Sequence, residues 1–107
     1  PACEDEYAEI VAARTAIQAR FIRQLARLGA GLEACGRHSD AAGIYQRIVE
    51  QQPLAEEIYR GLMRSLGALG RPAEAYEAYR RCRQHLAILL SRRPTVETES
   101  LAASLQC

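Results

Sequence analysis

Two stretches of this chain repeat one another: LARLGAGLEACGRHSDAAGIYQRIVEQQP (residues 25–53) and YRGLMRSLGALGRPAEAYEAYRRC (residues 59–82). The offset between them is 34 residues, the separation of two glycines at positions 36 and 70. It superimposes residues of the same type: Gly36 on Gly70, Ala41 on Ala75, Tyr45 on Tyr79 and Leu28 on Leu62. The repeat decides the fold because it is long enough for one helix, a turn and a second helix.

A repeat of 34 residues that carries Leu, then Gly, then Ala-x3-Tyr and then Pro is typical of the tetratricopeptide helix–turn–helix unit. Gly36 and Gly70 are expected to end the first helix of each pair, where a positive φ costs little without a Cβ. The alanines are expected where paired helices approach closely, and Tyr45 and Tyr79 are expected to fill the space against the next helix. We therefore predict an all-α fold, a tetratricopeptide-like right-handed superhelix of about five helices.

Hydrophobic periodicity gives the expected bounds of these helices: residues 4–35, 40–51, 55–69, 72–92 and 95–105. In the first helix, one stripe of apolar residues is expected to run from Tyr7 through Phe21 and Leu28 to Cys35. Thr95 is expected to cap the fifth helix with its side chain.

The first helix is much longer than the second. Its first half is therefore expected to pack on something outside the repeat, either a neighbouring domain or a second copy of the chain. The apolar residues of that half are Tyr7, Ile10, Val11 and Ile17.

The composition is that of an ordinary globular chain, with 49% hydrophobic residues, 25% charged residues and a net charge of +1. We expect a single domain over residues 1–107, and the missing initial Met favours a fragment of a longer protein. The small net charge gives no general reason to bind nucleic acid or a membrane surface. The sequence contains no run of 18 or more apolar residues, so it does not predict a membrane span.

Cysteine and histidine positions do not predict a reactive centre. The four Cys and two His lack zinc-ligand spacing, and no Ser or Cys nucleophile has a plausible His partner. Cys35 and Cys82 fall at apolar positions and are expected to be buried, in a reduced cytoplasmic setting. No carboxylate has apolar flanks that would shift its pKa. We therefore expect no enzyme activity, no cofactor and no metal.

The glycines at 29, 31 and 36 do not match a phosphate-binding loop, because no strand precedes them and no Lys follows. Gly29 is instead expected to be small so that neighbouring helices can close up.

Four arginines are candidates for a peptide-binding groove: Arg23, Arg27, Arg60 and Arg64. They lie on the first helix of each unit, the helix that lines the concave side of tetratricopeptide arrays, and could hold an acidic peptide. The alternative function is then a stand-alone scaffold that binds such a peptide. The structural alternative is that Glu56 and Glu57 form ordinary surface ion pairs with Arg60.

Residues 51–86 and 92–101 closely resemble the bacterial transcriptional activator domain of antibiotic regulatory protein-type regulators. The matching features are Pro-Leu-x-Glu (53–56), Leu-Met (62–63), Leu-Gly-Arg (69–71), Ala75 with Tyr79, and Pro-Thr-x-x-Thr-x-x-Leu (94–101). The resemblance implies a non-enzymatic helical module that lies C-terminal to a winged helix-turn-helix DNA-binding domain. Its implied partners are its own DNA-binding domain, a second copy in a possible homodimer, or the transcription machinery. Direct contact of this module with nucleic acid is not implied.

Overall fold

A computed structural model describes residues 2–106 of the chain. The helices in this range are α1 (Ala2–Ala34), α2 (His38–Gln51), α3 (Glu56–Ala68), α4 (Pro72–Leu90) and α5 (Val96–Leu105). Between residues 2 and 106 there is no strand, so the prediction of an all-α fold with about five helices is confirmed. The bounds differ from the predicted ones by at most two residues at either end.

The helices stack in chain order. Helix α1 packs on α2, α2 on α3 and α3 on α4, while α5 contacts both α3 and α4. The two repeat units are thus the antiparallel pairs α1–α2 and α3–α4, and the described part of the chain is elongated, 60 × 34 × 18 Å. The right-handed superhelical course of such a stack stays a prediction.

The turns inside the two units have the same structure. Gly36 has φ +77° and Gly70 has φ +72°, so both adopt the left-handed conformation that was predicted for them. In each turn the residue after the glycine donates its amide to a carbonyl five residues back, from Arg37 to Leu32 at 2.9 Å and from Arg71 to Leu66 at 3.0 Å. These bonds satisfy carbonyls that the end of a helix leaves without partners.

The alanines and tyrosines that the repeat superimposes lie in the core. Ala41 and Ala75 are completely buried, and both tyrosines of the repeat, Tyr45 and Tyr79, are almost so. The predicted use of small residues at the close approach and of Tyr against the next helix is therefore confirmed, with Tyr45 against α3 and Tyr79 against α5.

Tyr45 occupies a slot between two glycines on different helices. A Cβ added to Gly29 of α1 would lie 2.8 Å from the Tyr45 ring, and one added to Gly61 of α3 would lie 2.7 Å from its other edge. Both distances are shorter than carbon atoms tolerate, so the absence of side chains at these positions sets the spacing of α1 and α3. The packing role predicted for Gly29 is confirmed.

The single apolar stripe predicted for α1 is wrong in part. The side of α1 that packs against the core carries Ile22, Leu25, Ala26, Gly29 and Leu32. Phe21 and Leu28 are exposed because each lies one residue, about 100° of helix rotation, from this packed side. Cys35 is also exposed, since it follows the last residue of α1 and lies in the turn.

The first half of α1 extends past the end of α2. The end of α2 lies beside the middle of α1, where a groove is lined by Gln18, Phe21, Ile22 and Leu25 of α1. All residues from Cys3 to Phe21 are exposed. At 1.5 Å per residue, residues 2–17 form a projecting rod about 24 Å long.

Candidate functional site

A buried carboxylate joins α3 to the start of α5. Glu56, only 8% exposed, accepts hydrogen bonds from the Thr98 hydroxyl at 2.5 Å and from the Thr95 amide and hydroxyl at 2.7 Å each. Glu56 ends the Pro-Leu-x-Glu motif, and the two threonines belong to Pro-Thr-x-x-Thr. Two of the motifs that carry the family resemblance therefore meet in space.

Two arginines complete this cluster. Arg60 donates to Thr98 at 3.0 Å and lies 3.6 Å from carboxylate oxygens of both Glu56 and Glu97, while Arg92 approaches Glu56 at 3.5 Å. The Arg60 side chain is only 18% exposed. The expected ion pair of Glu56 with Arg60 is therefore present, but it is not an ordinary surface pair, because both groups are taken largely out of water.

The surroundings of Glu56 also change its titration. Burial alone would raise the pKa of this carboxyl, but the hydrogen bonds from Thr98 and Thr95 and the charge of Arg92 outweigh burial and lower the pKa below 4.5. The expectation that no carboxylate has a shifted pKa is wrong here. Sequence neighbours could not show it, because the donors lie 39 and 42 residues away.

Thr95 stands at the predicted cap position with an extended backbone, φ −68° and ψ 165°. Its side chain accepts no hydrogen bond from a backbone amide of the first turn of α5, so side-chain capping is wrong. The hydroxyl donates instead to the Glu56 carboxylate, and this charge-assisted bond fixes the orientation of the side chain.

A second polar cluster joins α1, α2 and α3. Arg64 donates from two nitrogens to the Glu33 carboxylate, at 2.7 and 3.2 Å, and the Tyr45 hydroxyl donates to the same carboxylate at 2.8 Å. Burial would raise the pKa of Glu33, but the bonds from Arg64 and Tyr45 lower it overall. Burial and the adjacent Glu33 carboxylate raise the pKa of Tyr45 to about 12, so its hydroxyl remains a donor at physiological pH.

The four candidate groove arginines are not brought together as one free basic surface. Arg60 and Arg64 are held by carboxylates of the chain, whereas Arg23 and Arg27 are exposed and have no ion pair with any residue from 2 to 106. The peptide groove stays a prediction, and an acidic ligand there would have to compete with Glu33 and Glu97.

A different surface is left uncovered by the described residues 2–106. We name it the α1 stripe and define it as the large apolar residues Tyr7, Ile10, Val11, Ile17 and Phe21. Their exposed fractions lie between 43% and 70%. Side chains of this kind in a contiguous patch are typical of interaction sites.

Residues 2–106 contain no helix that is long and apolar enough to cross a membrane. Over the same range no group of three or more His, Cys, Asp or Glu residues is placed to hold a metal ion.

The fold and these clusters define a helical-repeat domain in which polar side chains fix one helix to the next while one long helix carries an uncovered apolar surface. The family model described as the bacterial transcriptional activator domain matches residues 1–106, so the chain belongs to that family. It is a transcriptional activator module of a bacterial regulator, and the resemblance seen in the sequence is confirmed. The family is a regulatory one and is not a known enzyme family. No curated protein and no solved structure gave a match.

Proposed function

We propose that this chain is a non-enzymatic protein-interaction and oligomerisation module of a bacterial transcriptional regulator, with DNA binding supplied by a separate domain. The observation that carries the proposal is the α1 stripe, which leaves five large apolar side chains in water on a projecting helix. Exposed apolar surface of this kind favours a macromolecular partner, because covering it releases the water held against it. The setting proposed for this role is the cytoplasm.

The charges of the chain support a protein partner over nucleic acid. Many of its arginines already pair with an Asp or Glu of the same chain: Arg37, Arg60, Arg64, Arg71, Arg80 and Arg92. A paired arginine contributes little to binding a phosphate backbone, whose affinity comes from releasing counterions. With a net charge of +1, this module has a weak electrostatic basis for reading DNA itself.

The test is a reporter assay in a bacterial strain that carries the complete regulator gene. We expect deletion of this module to abolish activation while the rest of the protein still binds its DNA site in a gel-shift assay. Ile17→Glu should also reduce activation, whereas the control Val96→Ala, at a side chain 80% exposed on another helix, should not. The proposal fails if the complete gene encodes no DNA-binding domain and deletion leaves transcription unchanged.

A further inference from the structure

The residues of the α1 stripe follow the spacing of a helix seam. Tyr7, Ile10, Ile17 and Phe21 are separated by steps of three, seven and four residues, so they lie along one side of α1 over about 21 Å. Three of the four belong to the rod that projects past α2. A long, straight apolar line on a bare helix fits a second helix better than a compact pocket or a flat patch.

We propose that a second copy of this chain covers the α1 stripe, and that the two α1 helices pair antiparallel about a twofold axis. This inference names a partner for the interaction role proposed above and rests on it. An antiparallel pair of identical helices is self-complementary, so it closes as a dimer and does not extend into a filament.

The charges of α1 favour this direction over a parallel one. The acidic residues of its first half lie near its start: Glu4, Asp5, Glu6 and Glu9. The next charges are all basic: Arg14, Arg20, Arg23 and Arg27. None of these eight side chains has an ion pair with a residue in the described range 2–106. A parallel pair would place like charges side by side, whereas an antiparallel pair places the acidic end of each copy beside the basic segment of the other.

The helical period gives a register for the pair. Tyr7 of one copy is opposite Ile17 of the other, with Val11 of both copies near the axis. At this register Glu6 lies beside Arg20 of the second copy on the edge of the seam. The apolar and the charged positions are therefore matched by the same alignment.

Arg14 is the one charged side chain within the seam. In this register it is opposite Ile10 of the other copy and next to Glu9 of that copy. Its apolar stem can cover the seam while the guanidinium reaches the acidic segment, which is the ordinary behaviour of a long cationic side chain at an apolar interface. A parallel pair would instead place the two Arg14 side chains against each other.

The surface area that this pair would bury is small but sufficient for a weak, specific dimer. Side chains of this size that are about half exposed contribute roughly 100 Å² each, so five from each copy remove about 1,000 Å² from water. That value is at the lower limit for specific interfaces, so we expect a reversible dimer that forms as concentration rises.

Another exposed apolar group lies at the end of α4, and it does not have the form of a seam. Ile88, Leu89 and Leu90 are consecutive residues of α4, so their side chains point in three directions around the helix. If α1 of one copy bound this group on another copy, the contact would join two different surfaces. The experiment below distinguishes that arrangement from the antiparallel pair.

Sedimentation equilibrium of the 107-residue chain, over about a hundredfold range of concentration around the micromolar, measures the association. We expect the average mass to rise from monomer towards dimer, and Ile17→Glu to weaken association at least tenfold. Leu89→Glu is the matched control, since both side chains are largely exposed, and it should leave association unchanged. Circular dichroism should show folded protein for both variants. A monomer at all concentrations, or loss of association with Leu89→Glu alone, would overturn the proposal.

A charge exchange tests the direction of the pair. Glu6→Arg and Arg20→Glu should each weaken association severalfold, because each places like charges beside one another in an antiparallel dimer. A variant that carries both changes again has opposite charges at these contacts, so it should recover the association constant of the wild-type chain. Failure of the double variant to recover would contradict the antiparallel arrangement. A monomeric chain that still activates the reporter would refute this pairing and the oligomerisation part of the proposed function, and leave its protein-interaction part standing.

Discussion

Substituting Gly61 by alanine tests whether the Tyr45 ring sets the spacing of the helices. The new Cβ would lie 2.7 Å from two atoms of the ring. The ring has little room to move away, because Gly29 contacts its opposite edge and the hydroxyl is bonded to Glu33 at 2.8 Å. We therefore expect Gly61→Ala to lower the free energy of unfolding.

The magnitude follows from two opposing effects. Overpacking a close contact costs about 1–3 kcal/mol. Replacing Gly by Ala inside a helix contributes up to about 1 kcal/mol in the other direction. The net loss for Gly61→Ala should be about 1–2 kcal/mol, equivalent to a fall in melting temperature of about 5–10 °C for a domain of this size.

The chain provides a matched control in Gly43, which lies inside α2 with nothing within 4 Å of an added Cβ. Gly43→Ala should stabilise the protein by about 0.5–1 kcal/mol through helix propensity alone. Urea unfolding followed by circular dichroism measures both variants. In a Tyr45→Leu background, most of the cost of Gly61→Ala should disappear. If Gly61→Ala stabilised the protein as much as Gly43→Ala does, the ring would not be wedged between the helices.

Three further predictions concern the polar clusters and the thiols. Because the pKa of Glu56 is lowered by folding, its contribution is present above pH 4.5 and is lost as the pH falls below that value. Glu56→Gln should cost about 2 kcal/mol at pH 7 and progressively less in acid, as measured by urea unfolding at each pH. Burial raises the pKa of the Cys82 thiol to about 12, so a thiol reagent at pH 8 should modify exposed Cys35 rapidly and Cys82 only after unfolding; rapid modification of Cys82 in folded protein would contradict its burial. Calorimetric titration with acidic peptides should give no binding, since Arg60 and Arg64 are held internally; heat that is lost in the Arg60→Ala/Arg64→Ala variant would establish the peptide groove instead.

The parts of the fold that sequence could predict are those fixed by local chemistry. Gly36 and Gly70 mark turns because a positive φ excludes most other residues, and the repeat then fixes which Ala and Tyr are buried. Helix bounds follow from periodicity over a few turns.

What the sequence could not predict depends on partners that are distant along the chain. The sequence did not predict the Glu56 cluster, because Thr95 and Thr98 lie 39 and 42 residues from Glu56 and these separations do not match the repeat of 34. Glu56, Thr95 and Thr98 all belong to motifs of the family resemblance, and this shared membership was the signal that could have indicated the cluster. Periodicity also could not separate Phe21 from Ile22, because only the position of α2 decides which apolar residue is covered.

The projecting half of α1 has a consequence for the protection of its amides. Residues 2–17 have backbone hydrogen bonds along the helix but no neighbouring helix to cover them, and an isolated helix of this length is only marginally stable in water. Its amide protons should therefore exchange with deuterated solvent far sooner than those beside Tyr45. Slowing of this exchange at high protein concentration would show directly that the segment becomes ordered when it acquires a neighbour.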